Sequence, residues 1–306
     1  MKRFIKNVIV IGLICFLFLS SLLLFFGNYL YDYTLNPHAS EDVFDVFHIQ
    51  EDNHGKSYQW LKERSQDVYV QSDDHLKLHG YYIEQSGHTY MIMVHGYRSD
   101  GTSLVSPAKV MKKKGYHILI PDLRGHGLSE GNYIGMVWDD RKDIMKWISF
   151  LLERDQNANI ILYGISMGGA TVMNVSGEKL PCQVKAIIED CGYSDVWEVF
   201  TKHFDMNDIE KTILYFTANL TTKMKAGYFL LEDSPIRQVR KSTTPLLFIH
   251  GDQDQIVPFS MMNQLYQVAT CPKEKLVIHQ AQHANCLSKN AQLYYQTIFD
   301  FIDRYT

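Results

Sequence analysis

Residues 163–172 read YGISMGGATV, which sets Ser166 between Gly164 and Gly168. A serine hydroxyl is a poor nucleophile until a neighbouring base takes its proton, so this serine is interesting only if the chain also supplies that base and a group to orient it. The pentapeptide alone decides little. Average residue frequencies give a Gly-x-Ser-x-Gly match in roughly one chain in ten of this length. Two later stretches offer the partners. HGDQDQIVP (250–258) contains Asp252 and Asp254, and HQAQHANC (279–286) contains His279 and His283. His279 falls within a strand pattern, whereas His283 stands in the loop beyond it and is the better candidate for the base. Together these residues could carry out acyl transfer through a covalent intermediate.

Acyl transfer also needs donors for the negative charge that develops on the carbonyl oxygen. The backbone N–H of Met167, directly after the serine and at a helix start, is one candidate. The second should come from HGY (95–97), in the turn after YMIMV. There Gly96 permits close backbone approach and the N–H of Tyr97 can point inward.

These residues require a strand–turn–helix at Ser166 and a scaffold that gathers the others beside it. NIILYG reads as a strand running into Ser166, and a helix is expected over residues 170–177. QDVYVQSDDHLKLHGYYIE shows two alternating runs around SDD, the pattern of a β-hairpin. From residue 90 onward strands and helices alternate. HTYMIMVHG, YHILIPD, VKAIIEDCG, PLLFIHGD and KLVIHQ read as strands. Helices are expected over 103–114, 136–155, 261–270 and 288–305. The strands are nearly continuous apolar runs, which points to an α/β fold with a mostly parallel sheet covered by helices on both faces. Such sheets bind ligands beyond the carboxyl ends of their strands. Ser166, Asp254 and His283 all lie a few residues past a strand end, hence on one edge.

One segment breaks the alternation. Residues 193–243 read as helical and are rich in Phe, Tyr, Leu and Met, and an insertion there would form a lid over that edge. Trp197, Phe200 and Phe204, with Tyr97, are candidates to line an acyl pocket, although the same helical spacing also suits a core-facing stripe. The acidic residues Glu198, Asp205, Asp208 and Glu210 are candidates to meet a substrate amine.

The N-terminal end has a different character. VIVIGLICFLFLSSLLLFFG (8–27) carries no charge and would span about 30 Å as a helix, the thickness of a bilayer core. Lys2, Arg3 and Lys6 precede it and Asp32, Glu41, Asp42 and Asp45 follow. That asymmetry predicts a single-pass anchor in the cell membrane with its N-terminus inside and the catalytic part extracellular. The long apolar run and the lack of a small-x-small site favour an uncleaved signal anchor over a cleaved signal peptide. The expected organisation is a cytoplasmic stub and anchor (1–30), a linker and extension (31–65), a core (66–192 and 244–306) and the lid (193–243). Of the five cysteines, Cys182, Cys191, Cys271 and Cys286 would face the outside, where one or two disulfides or isolated buried thiols are both compatible with their spacing. A net charge of -4 with scattered basic residues gives no footprint for nucleic acid. No metal-ligand spacing, phosphate loop or dinucleotide fingerprint is present, so neither metal nor cofactor is called for.

The ordered motifs HGYRSDG, PDLRGHGLSEG (121–131), YGISMGG, HGDQDQIVP and QAQHA resemble the α/β-hydrolase superfamily over about residues 66–305. The resemblance is to the serine-aminopeptidase-like and monoacylglycerol-lipase-like branch, and within it to bacterial membrane-anchored cell-surface hydrolases. It implies Ser166, Asp254 and His283 as catalytic residues, with Asp252 shaping the turn. Arg124, Gly125, His126 and Gly127 become structural, and His126 is not the base. One departure is Ala281, where the family commonly has glycine two positions before the histidine. The implied activity is hydrolysis of a carboxylic ester with a partly apolar acyl group, the substrate being a small-molecule ester or lipid-like compound, a peptide or cell-wall material. Aminopeptidase, amidase or thioesterase activity is the alternative on the same scaffold, and a non-catalytic surface binding protein is a further one.

Overall fold

Eight strands build one sheet: β1 (Gln66–Gln71), β2 (Lys77–Ile83), β3 (Thr89–Val94), β4 (His117–Pro121), β5 (Asn159–Ile165), β6 (Val184–Asp190), β7 (Leu246–Gly251) and β8 (Lys273–Ile278). The structure is a computed structural model and describes residues 1–39, 54–202 and 206–306. The strand order is β1-β2-β4-β3-β5-β6-β7-β8. β2 pairs antiparallel with both β1 and β4, and every later pairing is parallel. The expected hairpin is therefore β1–β2, and the expected parallel sheet begins at β3. Val94 is in register with Gly164, Ile165 with Asp190, and Gly251 with Ile278. The carboxyl ends of the central strands thus finish level, on one edge.

The strands read as continuous apolar runs because both faces are covered. Ile92, Ile160, Leu162 and Phe248 point into one apolar layer, which includes Trp147 and Met173. Their neighbours Met91, Met93, Ile161, Tyr163 and Leu247 point into the other, with Met111, Tyr294 and Phe301. The alternation follows the period of two of a strand. The helices that supply these layers are α1 (Lys2–Thr34), α2 (His54–Arg64), α3 (Val105–Lys113), α4 (Asp140–Arg154), α5 (Met167–Val175), α6 (Val196–Thr201), α7 (Asp208–Ala226), α8 (Pro235–Val239), α9 (Phe259–Val268), α10 (Cys286–Lys289) and α11 (Ala291–Ile302).

Three expectations need correction. The helix after the serine starts at Met167, not at residue 170. The last helical stretch is two pieces, α10 and α11, parted at Asn290, whose side chain accepts the N–H of Leu293 and so starts a new helix. Residues 31–34, expected to open the linker, continue α1, and residues 54–64 form α2, whose Leu61 is fully buried in the core. The remainder of that stretch, residues 40–53, lies outside the described residues. α1 is long and apolar enough to cross a membrane. The described residues of the insertion between β6 and β7 are helical, forming α6, α7 and α8 with a 3-10 turn at Leu230–Glu232.

Candidate active site

Ser166 stands between β5 and α5 with φ 57° and ψ -120°. That is a strained conformation for a residue with a side chain. Its N–H donates to the Asp190 carbonyl (2.8 Å) and its carbonyl accepts from the Ala170 N–H (3.0 Å). The turn fits only because its flanks lack side chains. A Cβ at Gly164 would collide with the carbonyl of Gly168, and one at Gly168 would collide with the carbonyl of Val94. The two glycines that made the motif recognisable are thus required by backbone contacts on both sides of the serine.

The Ser166 hydroxyl lies 2.8 Å from His283 Nε2. His283 Nδ1 is 2.7 Å from Asp254 Oδ2. The other oxygen, Asp254 Oδ1, accepts the N–H groups of Ile256 (2.9 Å) and Val257 (2.8 Å). A third partner sits behind the carboxylate. His250 Nε2 donates to the Val257 carbonyl (3.0 Å) and lies 3.4 Å from Asp254 Oδ2. Burial alone would raise the Asp254 carboxyl. Hydrogen bonds from His250 and His283 outweigh it and hold the group well below the usual carboxylate range, so it stays ionised. The structure therefore brings Ser166, His283 and Asp254 into one hydrogen-bonded chain. Asp252 and His279 form a separate pair nearer solvent. A hydroxyl, an imidazole and a buried carboxylate in this order can take a proton from the serine and stabilise the imidazolium that results.

The loop after β3 approaches from the opposite side. Gly96 packs against Ser166, and a Cβ there would stand 3.5 Å from Ser166 Cβ. Two histidines fix the loop. The ring of His95 contacts the Gly96 carbonyl through Nδ1 (2.8 Å) and accepts the Leu123 N–H at Nε2 (3.0 Å). His126 Nδ1 meets the Arg124 carbonyl (3.0 Å) and Nε2 accepts the Arg98 N–H (3.2 Å). Burial and the neighbouring His95 push His126 down to about 3, so it is neutral and braces backbone.

Sequence reasoning missed what holds the other side of this loop. Arg98, at φ 52°, donates to the carbonyls of Ala39 (3.0 Å), Tyr33 (3.1 Å) and Asn36 (3.2 Å). The Tyr97 hydroxyl donates to the Thr34 carbonyl (2.6 Å). The last carbonyls of α1 are thus bound by the residues that follow Gly96, the favourable placement for a cation at a helix C-terminus. No motif within residues 31–39 signals this.

A narrow apolar pocket opens over Ser166. Its walls include Tyr97, Met136, Met167 and Tyr193, and from the insertion Val196, Val199 and Phe200, with Val257 completing it. Of the expected lining residues, Tyr97 and Phe200 are present, their rings 6.4 Å apart. Trp197 is not. Val196, Val199 and Phe200 share one face of α6, so the next position turns away, and the Trp197 ring packs on Tyr215 of α7 instead (5.0 Å). Phe204 lies outside the described residues, as does Asp205. Glu198 and Asp208 are exposed, Glu210 caps the start of α7, and none of the three lines the pocket. Met136 and Tyr193 carried no signal. Met136 sits at φ 40° in a loop whose conformation the sequence does not announce.

Beneath the site lie two buried acids. Glu189 accepts the Gly192 N–H (2.8 Å), and burial pushes its carboxyl up to about 8 although the nearby His250 opposes this. Asp190 accepts from the Tyr294 hydroxyl (2.7 Å). Among the described residues, Cys191, Asp254 and His283 place three potential metal-ligating atoms within 4.8 Å of one another. Burial raises the Cys191 thiol well above its ordinary value, which disfavours the thiolate a metal would need. All five cysteines are free thiols.

Two family models match the chain, that of serine aminopeptidase, S33, over residues 85–228 and that of serine hydrolase (FSH1) over residues 172–290. Uncharacterized protein YqkD of Bacillus subtilis (strain 168) is 26% identical over 215 residues, 70% of each chain. AB hydrolase superfamily protein YisY of the same organism is 23% identical, covering 64% of this chain and 85% of its own. Among solved structures, the Pyrococcus furiosus esterase Pf2001 superposes with a TM-score of 0.66 at 20% identity, over 81% of this chain and 95% of its own.

Proposed function

Since the chain belongs to the α/β-hydrolase superfamily and is a serine hydrolase by family, we propose that it hydrolyses carboxylic esters with a partly apolar acyl group through Ser166, His283 and Asp254. The observation that carries this reading is the Ser166 hydroxyl, 2.8 Å from His283 Nε2, at the floor of a pocket walled by apolar side chains. Substrate binds with its acyl chain against Val199 and Phe200. Ser166 Oγ attacks the carbonyl carbon while His283 Nε2 takes the hydroxyl proton. The carbonyl oxygen becomes an oxyanion, met by the N–H groups of Tyr97 and Met167, a contribution of about 3–4 kcal/mol per donor. The C–O bond to the alcohol breaks as His283 returns the proton to the leaving oxygen. Water, deprotonated by the same imidazole, then attacks the acyl-enzyme and releases the acid and Ser166. Asp254 holds the imidazole tautomer throughout. The helical insertion serves as a lid, since α6 supplies one wall of the pocket.

The serine aminopeptidase match supports a second reading, hydrolysis of an amide next to a free amine. That substrate calls for a carboxylate in the pocket, and none of its described walls is acidic. The ester reading is therefore the stronger. In the same proposal α1 anchors the protein in the cell membrane, with Lys2, Arg3 and Lys6 inside and the catalytic domain outside.

The test is hydrolysis of p-nitrophenyl esters from acetate to laurate by the full chain in detergent, beside Ser166→Ala. Activity that disappears in the variant, with an optimum at an intermediate chain length, is the expected result. A folded wild type inactive on every ester, yet active on an aminoacyl amide, would replace this reading with the second.

A further inference from the structure

The longest helix of the insertion carries its large apolar residues on the outside. Along α7, Ile209, Ile213, Phe216, Leu220 and Met224 recur at spacings of four, three, four and four, a continuous stripe on one helix face. All are exposed, Ile209 by 73%, Phe216 by 69% and Met224 by 70%. The buried face holds Thr217, Ala218, Thr221 and Thr222. Small residues inside and large apolar residues outside reverse the pattern of a helix on a water-facing surface. They match a helix that packs on a neighbour within an apolar medium.

The neighbour is α1. Gly27 abuts Thr217 and Thr221 so closely that a Cβ there would overlap both. Five residues on, Asp32 pairs with Lys225 (2.9 Å), whose ammonium also lies 4.6 Å from the centre of the Tyr31 ring. Residue numbers rise together along the seam, so the two helices run in the same sense. The turns of α7 that carry Ile213 and Phe216 therefore extend toward the same end as Leu23 and Ser20, which are half-buried while Phe16, Phe25 and Phe26 around them are exposed. The α7 stripe continues the exposed apolar surface of α1. Lys223 and Lys225 mark its far end, as cations do at headgroup level.

We propose that the outer face of α7 lies in the membrane, at the boundary of acyl chains and headgroups, so that the wall of the Ser166 pocket rests on the bilayer and takes its acyl substrate from there. The proposal rests on the reading of α1 as a membrane anchor. α7 reaches the pocket through Tyr215, which packs on Trp197 of α6, whose neighbours Val196, Val199 and Phe200 form the wall.

A fluorophore attached in turn at Phe216→Cys, Leu17→Cys and Lys113→Cys tests this in the full chain held in phosphatidylcholine nanodiscs, with the exposed Cys15 and Cys182 replaced by serine. Quenching by a nitroxide lipid is compared with quenching by iodide. Lipid quenching at Leu17 and Phe216, with iodide quenching at Lys113, is expected. Iodide quenching at Phe216 with lipid quenching at Leu17 overturns the proposal and leaves the anchor standing. Quenching by neither reagent at Phe216 also overturns it, because protein such as a second copy then covers the stripe. Absence of lipid quenching at Leu17 refutes the anchor itself and the proposal with it. The variant Ile213→Ser, Phe216→Ser, Leu220→Ser should lose about tenfold in rate on a long-chain ester dissolved in the nanodisc. Its rate on a short water-soluble ester should stay within about twofold of wild type. An equal loss on both esters would also overturn the proposal.

Discussion

Two histidine–aspartate pairs, His279–Asp252 and His283–Asp254, stand in the loops after β7 and β8, and they are almost alike in local chemistry. His279 Nδ1 lies 2.8 Å from Asp252 Oδ2, and His283 Nδ1 lies 2.7 Å from Asp254 Oδ2. Each aspartate also accepts backbone N–H groups, Asp252 from Gln280 and Asp254 from Ile256 and Val257. The surroundings differ. The His279 side chain is 85% exposed and its pair is screened by water, whereas the His283 side chain is 7% exposed and that of Asp254 is fully buried. Only the inner imidazole has its second nitrogen on Ser166. Pair distance thus does not separate a catalytic arrangement from a surface ion pair that solvent screens. Burial and the third contact do.

The largest expected effect tests this directly. Asp254→Asn should lower kcat by about 10⁴ because the imidazole then loses the partner that sets its tautomer. Asp252→Asn should leave kcat within about twofold. Comparable losses in the two variants would abolish the distinction. Acid unfolding sharpens it. The Asp254 carboxyl is held below its ordinary value, so the folded state gains stability above the unfolded value near 4 and loses it as pH falls below that. A urea titration between about pH 2 and 5 should flatten more in Asp254→Asn than in Asp252→Asn, whose carboxyl is also held below its ordinary value, by the hydrogen bond from His279, but stands in screening solvent.

Much of the inner pair was legible because the chemistry demanded specific types at strand ends. The glycines around Ser166 follow from backbone contacts that admit few residues, and the apolar runs of β3, β5 and β7 follow from a sheet covered on both faces. The choice between Asp252 and Asp254 was not legible from spacing, since both follow β7 within a few residues and both meet a histidine. It came from family resemblance, and in the structure Asp254 is the aspartate that meets His283. The pocket was read only in part. Helical period separates Phe200 from Trp197 only once the facing side of α6 is known, and a single sequence does not fix that side. The seam between α1 and Arg98 was invisible for a different reason. It uses backbone carbonyls, which leave no trace in residue type.

A smaller effect probes the support behind the inner carboxylate. His250 contacts Asp254 Oδ2 at 3.4 Å and binds the Val257 carbonyl, which belongs to the turn that donates to Asp254 Oδ1. His250→Phe keeps an aromatic ring at this position and removes both contacts. We expect kcat to fall about tenfold with KM little changed, since a misplaced carboxylate weakens the transition state more than substrate binding. A KM increase with kcat intact would show that His250 shapes the pocket and does not position Asp254.

The smallest effect concerns what burial costs next to the pair. Glu189 lies under Gly192 in the same interior that shields Asp254, but it lacks a strong cationic partner, and burial pushes it up to about 8. The unfolded chain releases this proton near pH 4.5, while the folded chain keeps it until about pH 8. Between those values the unfolded state binds fewer protons, so stability falls as pH rises. Glu189→Gln preserves an acceptor for the Gly192 N–H and removes the titration. The variant should match wild type near pH 4 and exceed it near pH 8, each kcal/mol regained raising Tm by about 2 °C. Scanning calorimetry at the two pH values measures this. A variant equally destabilised at both would mean that the carboxyl serves packing alone. The pH-dependent gain would show that the burial which makes Asp254 effective carries a cost at its neighbour, and that the exposed pair at Asp252 avoids that cost by doing no chemistry.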